Sequence, residues 1–147
     1  MGELTLPESS IVYVDTQILI YSVEKHSAYW SLLRPMWLKS ATGDIQIISS
    51  ELALLETLVA PLRNLDSVLI TAYETLLLST EMQLMPMTRA ILREAAQLRA
   101  QTNMKTPDAI HAATAIAHGC SIFLTNDNAF RRVSSLPLVV LSDIAAT

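Results

Sequence analysis

Four short stretches of this chain carry no charge and favour extended backbone: Ile11–Val14, Ile45–Ile48, Ser121–Thr125 and Leu138–Leu141. Runs of that kind are read as parallel strands covered on both faces, since a strand with one wet face would alternate apolar and polar residues. A fifth run, Met82–Met87, contains Pro86, which cannot donate to a sheet ladder and so stops the strand or keeps it at an edge. Helical patterns separate the runs, and no Asn-Gly or similar tight turn joins neighbouring ones. Parallel strands need crossovers, and the expected fold is therefore α/β: a three-layer α/β/α sandwich around a mostly parallel central sheet.

The helices announce themselves through caps and apolar spacing. Thr16 is placed to cap Ile18–Val23, Ser49 or Ser50 to cap Glu51–Leu62, Thr88 to cap Arg89–Ala100, and Thr106 to cap a helix that opens on Pro107 and runs to His118. Trp30, Leu33, Arg34 and Trp37 share helical spacing around Pro35, and both tryptophans are expected in the core or a subunit contact. Buried stripes are expected at Val68, Leu69, Ala72 and Leu76 within Asp66–Leu78, at Ile91, Ala95 and Leu98, and at Ile110, Ala113 and Ala117. After Leu141 only a short tail is expected.

At 147 residues the chain is expected to be one domain, 1–147, able to bury its own core. No apolar run is long enough to span a bilayer and the amino-terminal residues are acidic, so no membrane association is expected. The single cysteine, Cys120, cannot form an internal disulfide, which fits a reducing, cytoplasmic setting, and its neighbours suggest a small core residue. A formal charge of −4 disfavours a protein that grips long nucleic acid by electrostatics alone.

Four acids fall where such a fold collects chemistry. Asp15 and Asp127 stand just past strand ends, Asp108 lies in the first turn of a helix, and Glu56 sits between Leu52 and Val59–Ala60 on an apolar helical face. Three have a plainer account: Asp15 could cap the next helix, Asp108 could complement a helix dipole, and Glu56 could occupy a thin wet stripe. Gathered at one end of the sheet, however, the four could not all be bare anions in a small dry space. A divalent cation would relieve the repulsion, and oxygen donors suit Mg²⁺ or Mn²⁺ better than Zn²⁺. His111, one turn after Asp108, is expected at a helix surface or core edge with one hydrogen bond. His26 and His118 have no ligand spacing.

Taken in order, Val14-Asp15-Thr16-x-x-Leu19-Ile20-Tyr21, Ser50-x5-Glu56, Thr106-Pro107-Asp108-Ala109-Ile110-His111 and Leu124-Thr125-Asn126-Asp127-x-x-Phe130 resemble the motifs of PIN-domain ribonucleases, in particular the VapC-type toxin branch. The resemblance covers nearly the whole chain. It implies a metal-dependent endoribonuclease with Asp15, Glu56, Asp108 and Asp127 as an acidic cluster, leaving a 5′-phosphate and a 3′-hydroxyl. It also implies a homodimer neutralised by a small antitoxin, with single-stranded or structured RNA as substrate. Thr16 and Asn126 would support the ion or its water. One departure is Gln17, where the family commonly has asparagine. Lys105, Arg131 and Arg132 are candidate phosphate contacts or simply exposed cations. The alternative reading is a PIN-like module that no longer cleaves and binds RNA or a protein partner.

Overall fold

β1 (Ile11–Val14) is the axis of the molecule. In the computed structural model, which describes residues 2–79 and 81–147, it pairs in parallel with β2 (Gln46–Ser50) on one side and β4 (Ile122–Thr125) on the other. β3 (Met82–Met85) extends the sheet beyond β2, and β5 (Leu138–Val140) extends it beyond β4. The order is β3-β2-β1-β4-β5 and every pairing is parallel. Pro86 follows β3 directly, at the sheet edge where its missing donor costs nothing.

The strand period of two divides the core into two layers. Val12 and Val14 face one cluster with Ile47 and Leu124, covered by α1 (Thr16–Val23), α2 (Trp30–Ala41) and α4 (Ser67–Leu77). Tyr13 points the other way into a cluster with Ile48 and Phe123, covered by α5 (Arg89–Thr102) and α6 (Thr106–Ala117). α3 (Leu52–Arg63) joins the layers at the carboxyl edge, with Ala53 in the first cluster and Leu52 against the second. Alanine dominates α6 for a steric reason: every residue from Ala109 to Ala115 is buried, so short side chains let the helix lie close to both α5 and the sheet.

The α/β/α sandwich expected from the alternation is the observed fold, and the stripe Ile91, Ala95 and Leu98 is buried as its spacing requires. Several local expectations need correction. β2 runs through Ser49 and Ser50 rather than ending at Ile48, because both serines are buried and Ser49 Oγ donates to the Val14 carbonyl at 2.6 Å. Ser50 still accepts from Leu52 N–H at 3.1 Å, a partial cap made from inside the strand. Thr106 is the first residue of α6 rather than its cap, a position held by the extended Lys105 without a side-chain bond. In α4 Tyr73 and Leu77 are buried and Leu69 and Leu76 pack half-buried against the same cluster, while Val68 is 80% exposed and Ala72 is exposed, so half of the expected stripe faces the core and its centre lies at Tyr73 and Leu77. Ala117 is exposed. The tail after β5 is a helix, α7 (Leu141–Ala145), and a 3₁₀ turn, Asn128–Arg132, follows β4.

Candidate active site

Because all strands run the same way, every strand delivers its last residue to one edge. Asp15 follows β1, Asn126 and Asp127 follow β4, β2 leads into the helix that bears Glu56, and α6 begins there with Asp108 in its first turn. The four acids line a single cleft of about 670 Å³, together with Thr16, Gln17 and Asn126.

Asp15 does two jobs. It caps α1, accepting from Ile18 N–H at 3.2 Å through Oδ1, and Oδ2 accepts a very short bond from the Thr125 hydroxyl. The cap expected of Thr16 therefore belongs to Asp15, which frees Thr16 to face the cleft. Asp15 is only 5% exposed, and burial pushes its carboxyl up to about 6 in spite of the bond from Thr125. Asp108 is also raised, first by burial and then by the charge of Asp127. Asp127 caps the 3₁₀ turn through Ala129 N–H at 2.8 Å.

Glu56 has the opposite surroundings. Thr16 Oγ1 donates to its Oε1 at 2.7 Å, and His111 Nε2 lies 2.9 Å from the same oxygen and 3.1 Å from Thr16 Oγ1. Burial works against the charged form, yet the bonds from His111 and Thr16 outweigh it and hold the carboxyl below its ordinary value. On the far side of the ring, Tyr13 Oη lies 2.6 Å from His111 Nδ1. Burial keeps the Tyr13 phenol well above its usual range, so it remains an O–H that donates to Nδ1, and Nε2 then carries the proton shared between Glu56 and Thr16. A continuous chain of bonds thus runs from the core at Tyr13 to the cleft at Glu56.

His111 departs most from the sequence reading. It is 2% exposed and makes three polar contacts rather than one at a helix edge. The available signal was a histidine in the middle of an otherwise apolar, alanine-rich helix, three residues after an acid and so on the same face. Ile20, Tyr21 and Asn128 also line the cleft and were not anticipated. Asn126 is used on both amide atoms: Oδ1 accepts from Ser142 N–H at 2.8 Å and Nδ2 donates to Tyr21 Oη at 3.2 Å. Gln17 is exposed at the rim.

Three expected cations lie outside the lining. Arg131 donates to Asp143 Oδ2 at 2.7 Å and to Asn128 Oδ1 at 2.9 Å, Arg132 is exposed, and Lys105 reaches Asp108 only as a distant favourable charge. No lysine or arginine is therefore among the residues that line the cleft. The donor set suits a hard divalent cation, being four carboxylates with amide and hydroxyl oxygens beside them. As the side chains stand, no three His, Cys, Asp or Glu among the described residues are gathered closely enough to hold one.

The fold is similar to that of several solved structures. VapBC2 from Rickettsia felis, bound to a DNA fragment from its promoter, superposes with a TM-score of 0.70 at 18% identity over 88% of this chain and 98% of that one. A toxin–antitoxin complex from Klebsiella pneumoniae gives a TM-score of 0.60 at 19% identity, covering 88% and 96%. VapC20 of Mycobacterium tuberculosis, a toxin that cleaves the sarcin–ricin loop, gives 0.63 at 18% identity, covering 76% and 86%. No curated protein matches the sequence. The sequence pattern of the PIN domain matches residues 12–136, a span that runs from β1 to just short of β5 and includes all four acids of the cleft. With that pattern over most of its length, the chain belongs to the PIN-domain family.

Proposed function

We propose that this protein is a Mg²⁺- or Mn²⁺-dependent endoribonuclease and the toxin of a toxin–antitoxin pair. The observation that carries this reading is one cleft lined by Asp15, Glu56, Asp108 and Asp127 with no lysine or arginine to neutralise them. Asp15, Asp108 and Asp127 would hold the ion, and Asn126 and Gln17, which line the same cleft, would contact its water. A bound divalent cation supplies Lewis acidity toward a phosphodiester and the water that attacks it. The protein's part is to hold charge in fixed places. Glu56, kept ionised by His111 and Thr16, offers its second oxygen as the acceptor for a proton from the attacking water. Asp15 is oriented by Thr125 and the α1 cap, so Asp108 and Asp127 would have to close toward it to complete the ion's cradle.

Membership of the PIN family supports nuclease chemistry, and the similarity to a toxin–antitoxin complex supports a small protein antitoxin as partner. A cytoplasmic homodimer completes the proposal. The subunit contact is supported by Leu55, Val59, Leu62, Leu65 and Val68, apolar side chains of the α3–α4 hairpin that are 42% to 87% exposed. Purified protein should cut a mixed single-stranded RNA pool with Mg²⁺ or Mn²⁺ and not with EDTA, and the Asp15→Asn protein should not cut at all. Activity that survives EDTA or the Asp15→Asn change would sink the proposal. The second reading, an RNA- or protein-binding module without turnover, is favoured by the spread of the acids and by Gln17. It predicts no cutting at any metal concentration.

A further inference from the structure

Three aromatic rings gather where α1 gives way to the turn before α2: Tyr21 on the last turn of α1, His26 in the turn and Tyr29 at the start of α2. Tyr21 lies 4.7 Å from His26 and 5.0 Å from Tyr29 between ring centroids, and His26 stacks on Tyr29 at 5.0 Å with 25° between the planes. Backbone bonds fix this arrangement: His26 N–H donates to the Tyr21 carbonyl at 2.9 Å, and Trp30 N–H to the His26 carbonyl at 2.8 Å. Ala28 N–H donates to His26 Nδ1 at 3.1 Å, which orients the ring itself. Lys25 turns the chain in a left-handed conformation, φ 50°, rarely adopted by a residue with a side chain. The trio starts at the cleft, where Tyr21 is part of the wall and accepts from Asn126, and reaches outward to the exposed His26.

A polynucleotide entering this cleft meets four carboxylates and no cation on the walls. Phosphate contacts ordinarily supply most of the affinity for nucleic acid, and here they are scarce. Stacking of a base on a ring needs no charge, and it requires the base to be unpaired. We propose that Tyr21, His26 and Tyr29 form a platform on which an unpaired base of the bound RNA stacks at the wall of the cleft. The choice of RNA rests on the nuclease reading; the platform rests on the ring geometry.

The test uses the Asp108→Asn protein, so that binding is read without cleavage, with a fluorescently labelled single-stranded RNA of mixed sequence. Alanine at both His26 and Tyr29 should weaken binding by about 5- to 100-fold, the range for losing a stacked base. His26→Ala alone, at an exposed position that should not disturb folding, should produce part of that loss, and Tyr29→Phe should retain full binding. The affinity should fall gently with salt, with a logarithmic slope of about −0.7, as for one phosphate contact on a single strand. A duplex of the same sequence should bind much more weakly. Unchanged binding by the folded double variant, equal binding of duplex, or no RNA binding at all would overturn the platform. Cleavage by the unmodified protein, assayed on the same RNA, separates the two claims. Ring-dependent binding without cleavage fells the nuclease alone, and cleavage with ring-independent binding fells the platform alone.

Discussion

The two sides of the cleft differ in how they treat a carboxylate. Glu56 is bonded by Thr16 and His111, which is braced in turn by Tyr13, and its charged form is favoured. Asp15 and Asp108, across the same space, are raised by burial, and Asp108 also by Asp127. One side is finished by the protein itself. The other is left short of positive charge, which is the condition under which a bound cation gains most. Under the proposed function the contrast would divide a set of acids that look equivalent in the sequence, with a proton acceptor on the Glu56 side and an ion cradle on the aspartate side.

The largest effect should come from emptying the cradle. Asp108→Asn is expected to lower cleavage by at least 10²–10³-fold, the scale for losing one preorganised electrostatic partner, with the fold unchanged by circular dichroism. A tenfold loss or less would mean that Asp108 serves the α6 dipole and little else. Asp15 offers a second measurement that does not need activity. Its folded carboxyl titrates at about 6, above the ordinary 3.8, so the folded state favours the neutral acid. That stabilisation is complete below about pH 4 and is lost as the pH rises through 6, worth at most about 3 kcal/mol. Metal-free protein should therefore be less stable at pH 7.5 than at pH 5. Asp15→Asn, which keeps the α1 cap, should remove most of that dependence and raise stability at pH 7.5. Denaturant curves at both pH values in EDTA decide the matter. A pH-independent wild type would show that Asp15 is not strained by its burial.

How far the site could be read from the sequence follows the same division. The aspartates were legible because strand ends and helix starts are local features: an uncharged run followed by Asp, or Thr-Pro-Asp before an alanine-rich helix. Glu56 was legible because it interrupted an apolar face. The bonds that finish its side were not, since they join α1, α3 and α6 across 40, 55 and 95 residues of sequence, and no local pattern encodes which turns will meet. The α4 stripe was only half legible for a related reason. Apolar residues cover more than half of that helix's circumference, so periodicity could place Leu69 and Leu76 inward but not exclude Val68, and packing centred the buried face on Tyr73 and Leu77. Tyr73 also donates a very short bond to Glu24, a partner 49 residues away.

An intermediate effect is expected from His111. His111→Ala leaves Glu56 and the Tyr13 hydroxyl without their shared partner. The loss should be about 1–3 kcal/mol, toward the low end because the Glu56 side chain is 26% exposed and water can replace part of it. The Glu56 carboxyl should rise, moving the acid limb of the pH–rate profile to higher pH, a shift that simple destabilisation would not cause. Tyr13→Phe should give a smaller loss of stability. In a double-mutant cycle the two changes should couple, since both act on one bond. Independent losses and an unmoved acid limb would break the proposed distinction between the two sides.

The smallest effect tests where the cleft ends. Arg131 was a candidate phosphate contact, but its guanidinium is bonded to Asp143 and Asn128, with side chains 50% and 62% exposed across the ion pair. A pair so exposed contributes under about 1 kcal/mol and is screened by salt. Arg131→Ala should therefore change stability by no more than that and leave cleavage within about twofold. A much larger fall in cleavage, carried by KM and relieved at low salt, would show that Arg131 exchanges Asp143 for the RNA backbone. The aspartate side would then receive positive charge from the protein as well as from the ion, and the two sides of the cleft would differ less than their resting geometry implies.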